Sequence, residues 1–165
     1  PMAPVTTAHL QPDAAGRRGW SVGRTRSVAN DRYRGLEIGD EGSVGLITYI
    51  RTDSTRASTE SQKAAKEVIS THYGENFTLS KPRTFKAGKR AQEAHEAIRP
   101  TSISRTPEQL ERYLSKDQAR LYQLIWSRFV ASQMQDAVYD QTSVQLEAKG
   151  AASGTTYLFL SLIHI

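Results

Sequence analysis

Tyr49 and Arg51 stand two residues apart in the string GLITYIRTDS at 45–54, and His95 and Arg99 stand four apart in HEAIR at 95–99. A phenol becomes a competent nucleophile only when something helps it lose its proton, and a phosphate under attack needs a cation to hold its developing charge. An arginine beside the tyrosine could do both. The β-branched and apolar residues of 44–51 predict a buried strand, whose period of two would put Tyr49 and Arg51 on one face. A short helix over 91–98, stopped before Pro100, would put His95 and Arg99 on one face as well, as two groups meeting one phosphate should be. Each pairing alone also has an ordinary structural reading: a buried aromatic beside a surface arginine, and a structural histidine on a short helix. HEAIR looks like half of a zinc-protease helix, but Arg99 fills the second ligand position and a cation there repels a metal, so no metal ligands are expected here.

The elements that must position these groups are mostly helical. Thr7 can cap a first helix ended by Gly16 or Gly19, and Ser21 a second through Val22, Thr25, Val28, Ala29 and Tyr33, stopped at Gly35. Two short helices with a glycine between them look like a helix-turn-helix, with Arg24, Arg26, Arg32 and Arg34 available to face phosphates, or like a plain helical hairpin with a charged outer face. Asp53 and Ser54 offer caps, Thr59 with Gln62 repeats a capping-box spacing, and a helix should run to Tyr73, stopped by Gly74. Residues 74–90 read as a basic loop. TPEQ at 106–109 is a strong helix start, Ser115 with Gln118 repeats it, and Leu121, Leu124, Ile125, Phe129 and Met134 make a long core helix. Alternation from Val138 to Leu146 predicts a strand, and glycines at 150 and 154 turn the chain toward a second at 156–159.

Composition narrows the chemistry. With 165 residues, 38% hydrophobic and 24% charged, the chain can bury a modest core. No cysteine is present, which excludes disulfides, thiolate metal sites and cysteine nucleophiles. No apolar run approaches the roughly 20 residues that span a bilayer, so no membrane partner is expected and a cytoplasmic protein is the default. The net charge of +5 favours an anionic partner. It is uneven: six basic against two acidic residues in 1–35, four against seven in 36–80, and six against two in 81–99. Two basic islands therefore flank an acidic stretch.

Three strings taken together change the weight of the Tyr49 and His95 pairings. GDEGSVGLITYIRTDS at 39–54, AQEAHEAIRPT at 91–101 and LYQLIWSRFVASQM at 121–134 resemble, in order and approximate separation, the type IA DNA topoisomerases, and closely their bacterial topoisomerase I branch. The resemblance runs from about residue 4 to residue 159. It implies that Tyr49 attacks a single-strand phosphodiester, forming a 5′-phosphotyrosyl link and freeing a 3′-hydroxyl. Arg51 matches the arginine at the scissile phosphate, His95 the histidine that assists there or positions DNA, and Glu96 and Arg99 further DNA-binding positions of the same motif. The implied function is relaxation of negatively supercoiled DNA without ATP, on single-stranded and negatively supercoiled DNA, in a cytoplasmic, nucleoid-associated enzyme. The implied fold is predominantly α with a few β-strands (α+β): an arch-domain strand at 1–8, the tyrosine-bearing domain III at 9–135, and arch strands at 136–159.

The same resemblance marks departures. The family places an Mg2+-binding Toprim domain before these segments, and nothing here resembles its carboxylate cluster, so an internal piece is expected, working with the remainder of the topoisomerase chain and weak in cleavage by itself. The family continues after the strand at 157–159 with an arginine, whereas LSLIHI stands at 160–165; CTG TCT CTT ATA CAC ATC, the end of a common transposon-based sequencing adaptor, encodes that hexapeptide, so adaptor read-through is expected there. The competing reading is a non-catalytic helix-turn-helix DNA-binding module, which would have no use for Tyr49.

Overall fold

In a computed structural model the chain is described over residues 1–85, 95–151 and 154–164, and it divides into two compact units, Pro1–Gln135 and Asp136–Ile165. The first unit is helical, the second a two-stranded ribbon, which makes the whole an α+β chain.

Local capping signals account for where the helices begin. Helix α1 (Thr7–Arg18) ends at Gly19, whose φ of 64° is the left-handed conformation that glycine adopts without steric cost, and whose N–H donates to the Ala15 carbonyl. Helix α2 (Val22–Arg34) is capped by Ser21, whose hydroxyl accepts from the Arg24 N–H. A two-residue ladder follows, β1 (Leu36–Glu37) against β2 (Ser43–Val44), closed by a 3-10 turn at Gly39–Glu41. Helix α3 (Thr59–Tyr73) is capped one residue earlier than its sequence spacing predicts: Ser58, not Thr59, accepts the Ser61 N–H. The other two expected capping boxes form, Thr106 with Gln109 at α4 (Pro107–Leu110) and Ser115 with Gln118 at α5 (Lys116–Ser132).

The core gathers around α5, where Leu121, Tyr122, Ile125 and Phe129 are buried with Val5, Ala29, Leu46, Ile69 and Ile98. Two polar handles on α5 tie down the chain that enters it: the Tyr122 hydroxyl donates to the Arg105 carbonyl at 2.7 Å, and the Trp126 indole N–H to the Ile103 carbonyl at 2.9 Å. Burial pushes the Tyr122 phenol well above the ordinary tyrosine range, partly opposed by the Arg105 charge.

Two sequence expectations are corrected. Residues 44–51 do not form one regular strand: after β2 the segment makes a single antiparallel bridge, Ile47 to Pro100, and bends at Ile50 and Arg51. Its partners are short irregular segments, so no ladder can propagate. The helix expected over 91–98 falls partly on 91–94, outside the described residues; 95–98 are not helical, because Ile98 bridges Val5 and the residue before Pro100 is steered toward extended backbone. The basic loop expected at 74–90 carries a 3-10 turn at Glu75–Phe77 and no regular structure from 78 to 85; 86–90 lie outside the described residues.

The second unit pairs β3 (Gln141–Lys149) with β4 (Thr156–His164), antiparallel from Gln141 opposite His164 to Lys149 opposite Thr156. The strand expected to end at 159 thus runs on, with Leu160 opposite Gln145 and Ser161 opposite Val144. Among the described residues no helix is long and apolar enough to cross a membrane.

Candidate active site

Tyr49 is held from both sides by backbone bonds to distant parts of the chain. On its N-terminal side Thr48 is locked to 97–99: its N–H donates to the Arg99 carbonyl (2.9 Å), its hydroxyl donates to the Ala97 carbonyl (2.7 Å), and the Arg99 N–H donates back to that hydroxyl (3.0 Å). On its C-terminal side Ile50 and Thr52 are locked to the start of α1. The Thr7 hydroxyl donates to the Ile50 carbonyl at 2.7 Å and accepts the Thr52 N–H at 2.9 Å, while the Thr7 N–H donates to the Thr52 carbonyl. This is why Thr7 does not cap α1, as its sequence position suggested; Thr6 stands at that position, its hydroxyl paired with His9 Nδ1 at 3.1 Å and capping no backbone N–H.

Burial alternates from there: Tyr49, Arg51 and Asp53 are exposed, Ile50, Thr52 and Ser54 buried. Tyr49 retains 38% exposure although the chain on both sides of it is anchored. Its ring lies against His95, with centroids 5.4 Å apart and planes tilted by 50°. Sequence reasoning singled out both residues, and the fold brings them together across 46 positions by anchoring 97–101 on 45–48, where the Thr101 N–H donates to the Leu46 carbonyl and its hydroxyl to Gly45.

Arg51 lines a cavity of about 390 Å³ with Thr7, Leu10, Arg26, Ala29 and Ile50. Arg99 is placed differently from the shared helical face expected with His95. Its side chain is 12% exposed, and the guanidinium is paired with Glu96 at 2.5 Å, donates to the Pro100 carbonyl at 2.8 Å and reaches the Ser58 cap hydroxyl at 3.4 Å. Glu96 and Arg99 therefore fasten the 95–100 segment to the start of α3. Of the four α2 arginines, Arg24 pairs with Asp117 of α5 at 2.5 Å and lies over the Trp20 ring at 5.2 Å, which commits its charge within the protein.

Chemically, the site offers an accessible phenol, an imidazole against it able to pass a proton or bind an anion, and a planar cation two residues on that can grip phosphate oxygens in bidentate fashion. Sequence reasoning missed Thr7 and Thr48, for a threonine that will bond a distant backbone carries no local mark. Among the described residues no group of three His, Asp or Glu comes together in a way that could hold a metal ion.

Comparison with known proteins agrees in direction. A family model described as DNA topoisomerase matches residues 1–161. The chain is 45% identical over 170 aligned residues to DNA topoisomerase 1 of Xylella fastidiosa (strain Temecula1), an alignment covering all of this chain and 21% of that protein. Among solved structures it is similar to full-length topoisomerase I from Thermotoga maritima, with a TM-score of 0.81 and 36% identity over 99% of this chain and 25% of that one. The chain thus spans about a fifth of the curated relative it matches.

Proposed function

The chain belongs to the type IA DNA topoisomerases, and we propose that it carries the covalent-attack part of that family's reaction. The Tyr49 hydroxyl oxygen attacks the phosphorus of a phosphodiester in one DNA strand. The tyrosyl ester to phosphorus forms as the bond to the 3′ oxygen breaks; the phenolic proton leaves, and the 3′ oxygen takes one up. Attack by that 3′-hydroxyl on the phosphotyrosyl ester reverses the step. Phosphoester bonds are conserved, so religation requires no ATP, and passage of a strand through the break relaxes negatively supercoiled DNA. Arg51 holds the charge that develops on the phosphate, and His95 moves the phenolic proton or binds the phosphate. Glu96 and Arg99 contribute by keeping the histidine segment in place.

The observation that carries this reading is an exposed tyrosine on a segment anchored on both sides, with a histidine ring against it. Immobilising a reacting group before substrate arrives is worth rate, because the entropy of positioning is already lost. The family resemblance implies Mg2+ held by Toprim carboxylates. The described residues supply no such donor set. The enzyme is proposed to act on single-stranded and negatively supercoiled DNA in the cytoplasm, at the nucleoid, together with the remainder of the topoisomerase chain.

The test is an adduct assay: end-labelled single-stranded DNA, magnesium, this chain, and a separately produced Toprim-bearing piece of a relative, quenched in detergent, with Tyr49→Phe alongside. A labelled adduct that needs both pieces and disappears in the variant is expected. An adduct that survives Tyr49→Phe would assign the nucleophile elsewhere and refute the reading.

A further inference from the structure

We propose that Arg26 and Arg51 together form a subsite for one nucleotide unit of single-stranded DNA, in which Arg26 binds a backbone phosphate and the apolar wall takes the sugar and base. The proposal rests on the DNA-cleaving reading of Tyr49 and adds to it a binding residue from a different element, α2.

Both guanidinium-bearing side chains line the same cavity, and neither makes a hydrogen bond or ion pair among the described residues. None of the residues lining that cavity is acidic. Two cations facing one concavity with no carboxylate to neutralise them repel each other and attract an anion, the more so because a concave low-dielectric wall focuses the field. Four other arginines are treated in the opposite way. Arg24 is given Asp117, Arg99 is given Glu96, Arg105 is given Glu41 and Arg128 is given Asp13.

The remaining wall suits a nucleotide. Leu10, Ala29 and Ile50 supply an apolar floor, and Thr7 and Gln11 a polar edge. A volume of about 390 Å³ falls within the roughly 300–1,000 Å³ of ordinary ligand pockets. Ile50 and Arg51 follow Tyr49 directly, so the cavity wall is continuous in the chain with the tyrosine. Arg26 is exposed while Thr25 and Ala29 beside it are buried, so the helix itself aims the arginine outward from a fixed wall.

The experiment measures binding of a fluorescein-labelled single-stranded oligonucleotide to the full chain by anisotropy over a range of salt, for wild type, Arg26→Gln, Arg26→Lys and Arg120→Gln. Arg120 is an exposed arginine of α5 away from this cavity's lining and controls for net charge. Arg26→Gln is expected to weaken binding about threefold to tenfold, the net worth of one ordinary hydrogen bond at a solvent-exposed site. It should also reduce the slope of log K against log salt by about 0.7, the value for one phosphate contact on a single strand. Arg26→Lys should keep the slope, and Arg120→Gln should change neither quantity. Wild-type affinity and slope in Arg26→Gln, an equal loss in Arg120→Gln, or no measurable binding by the wild type each overturns the proposal. The adduct assay separates this from the parent reading. Tyr49-dependent adduct with an unaltered Arg26→Gln sinks the subsite alone, and loss of binding in Arg26→Gln without any Tyr49 adduct sinks the cleavage reading alone.

Discussion

Replacing Thr7 by valine removes one hydroxyl and keeps the shape, and the structure says what depends on that hydroxyl. It donates to the Ile50 carbonyl at 2.7 Å, with Thr52 O as a longer second acceptor at 3.1 Å, and it accepts the Thr52 N–H at 2.9 Å. Ile50 and Thr52 are 5% and 4% exposed, so water is poorly placed to replace either bond. A net intramolecular hydrogen bond is worth about 1 kcal/mol and a buried group left unsatisfied costs about 1–3 kcal/mol, so losing two bonds should destabilise the first unit by about 2–3 kcal/mol. For a unit of this size that lowers the melting temperature by about 5–10 °C, read by circular dichroism. The effect on cleavage should be larger than stability alone explains. The lost bonds flank Tyr49, the proposed nucleophile, and a misplacement of about 1 Å at a reacting group can cost about a hundredfold in rate. Adduct formation measured well below the melting temperature of the variant isolates that part. Thr7→Ser retains the hydroxyl and should recover most of both properties. A Thr7→Val protein that melts with the wild type and forms adduct at the same rate would refute the idea that this hydroxyl holds the tyrosine segment.

Other expectations follow from single residues. The Tyr122 phenol is raised by burial, so the folded chain keeps its proton at alkaline pH after the unfolded chain has lost it. This contribution is intact below about pH 10 and is lost as pH climbs above that, at up to about 1.4 kcal/mol per pH unit. Tyr122→Phe should abolish this alkaline slope in urea titrations between pH 9 and about pH 11 while costing stability at neutral pH, and an unchanged slope would show that Tyr122 is not its source. Two glycines should respond with opposite signs to alanine. Gly39 has a φ of 50° and an added Cβ would meet the Tyr113 hydroxyl at 2.9 Å, so Gly39→Ala should destabilise by about 1–2 kcal/mol; Gly16 lies in α1 with open space around it, and Gly16→Ala should stabilise by about 0.5–1 kcal/mol. Equal signs in thermal melts would count against the assigned backbone.

What the sequence determined by itself was mostly what has its cause within about four residues. Ser21, Thr106 with Gln109, and Ser115 with Gln118 start helices because a side-chain oxygen and an N–H three residues on are neighbours in any chain that turns there. The alternation beyond Val138 marked a strand, and β3 begins three residues later. Tyr49 and His95 were singled out as well, through the strings around them rather than through any property of the single residues. Tertiary structure alone decided how those residues meet. The tyrosine segment is not a strand in its own right; Thr7 from one direction and 97–101 from the other give it its shape, across separations of about 45 and 50 residues. The same holds for charge. Arg24 and Arg26 are indistinguishable as members of a basic run, yet one meets Asp117, 93 positions away, and the other faces a cavity with Arg51. A cation's type is written in the chain, but its partner is whatever the fold carries within about 4 Å of it, and only that proximity separates an arginine that braces the protein from one left free to bind an anion.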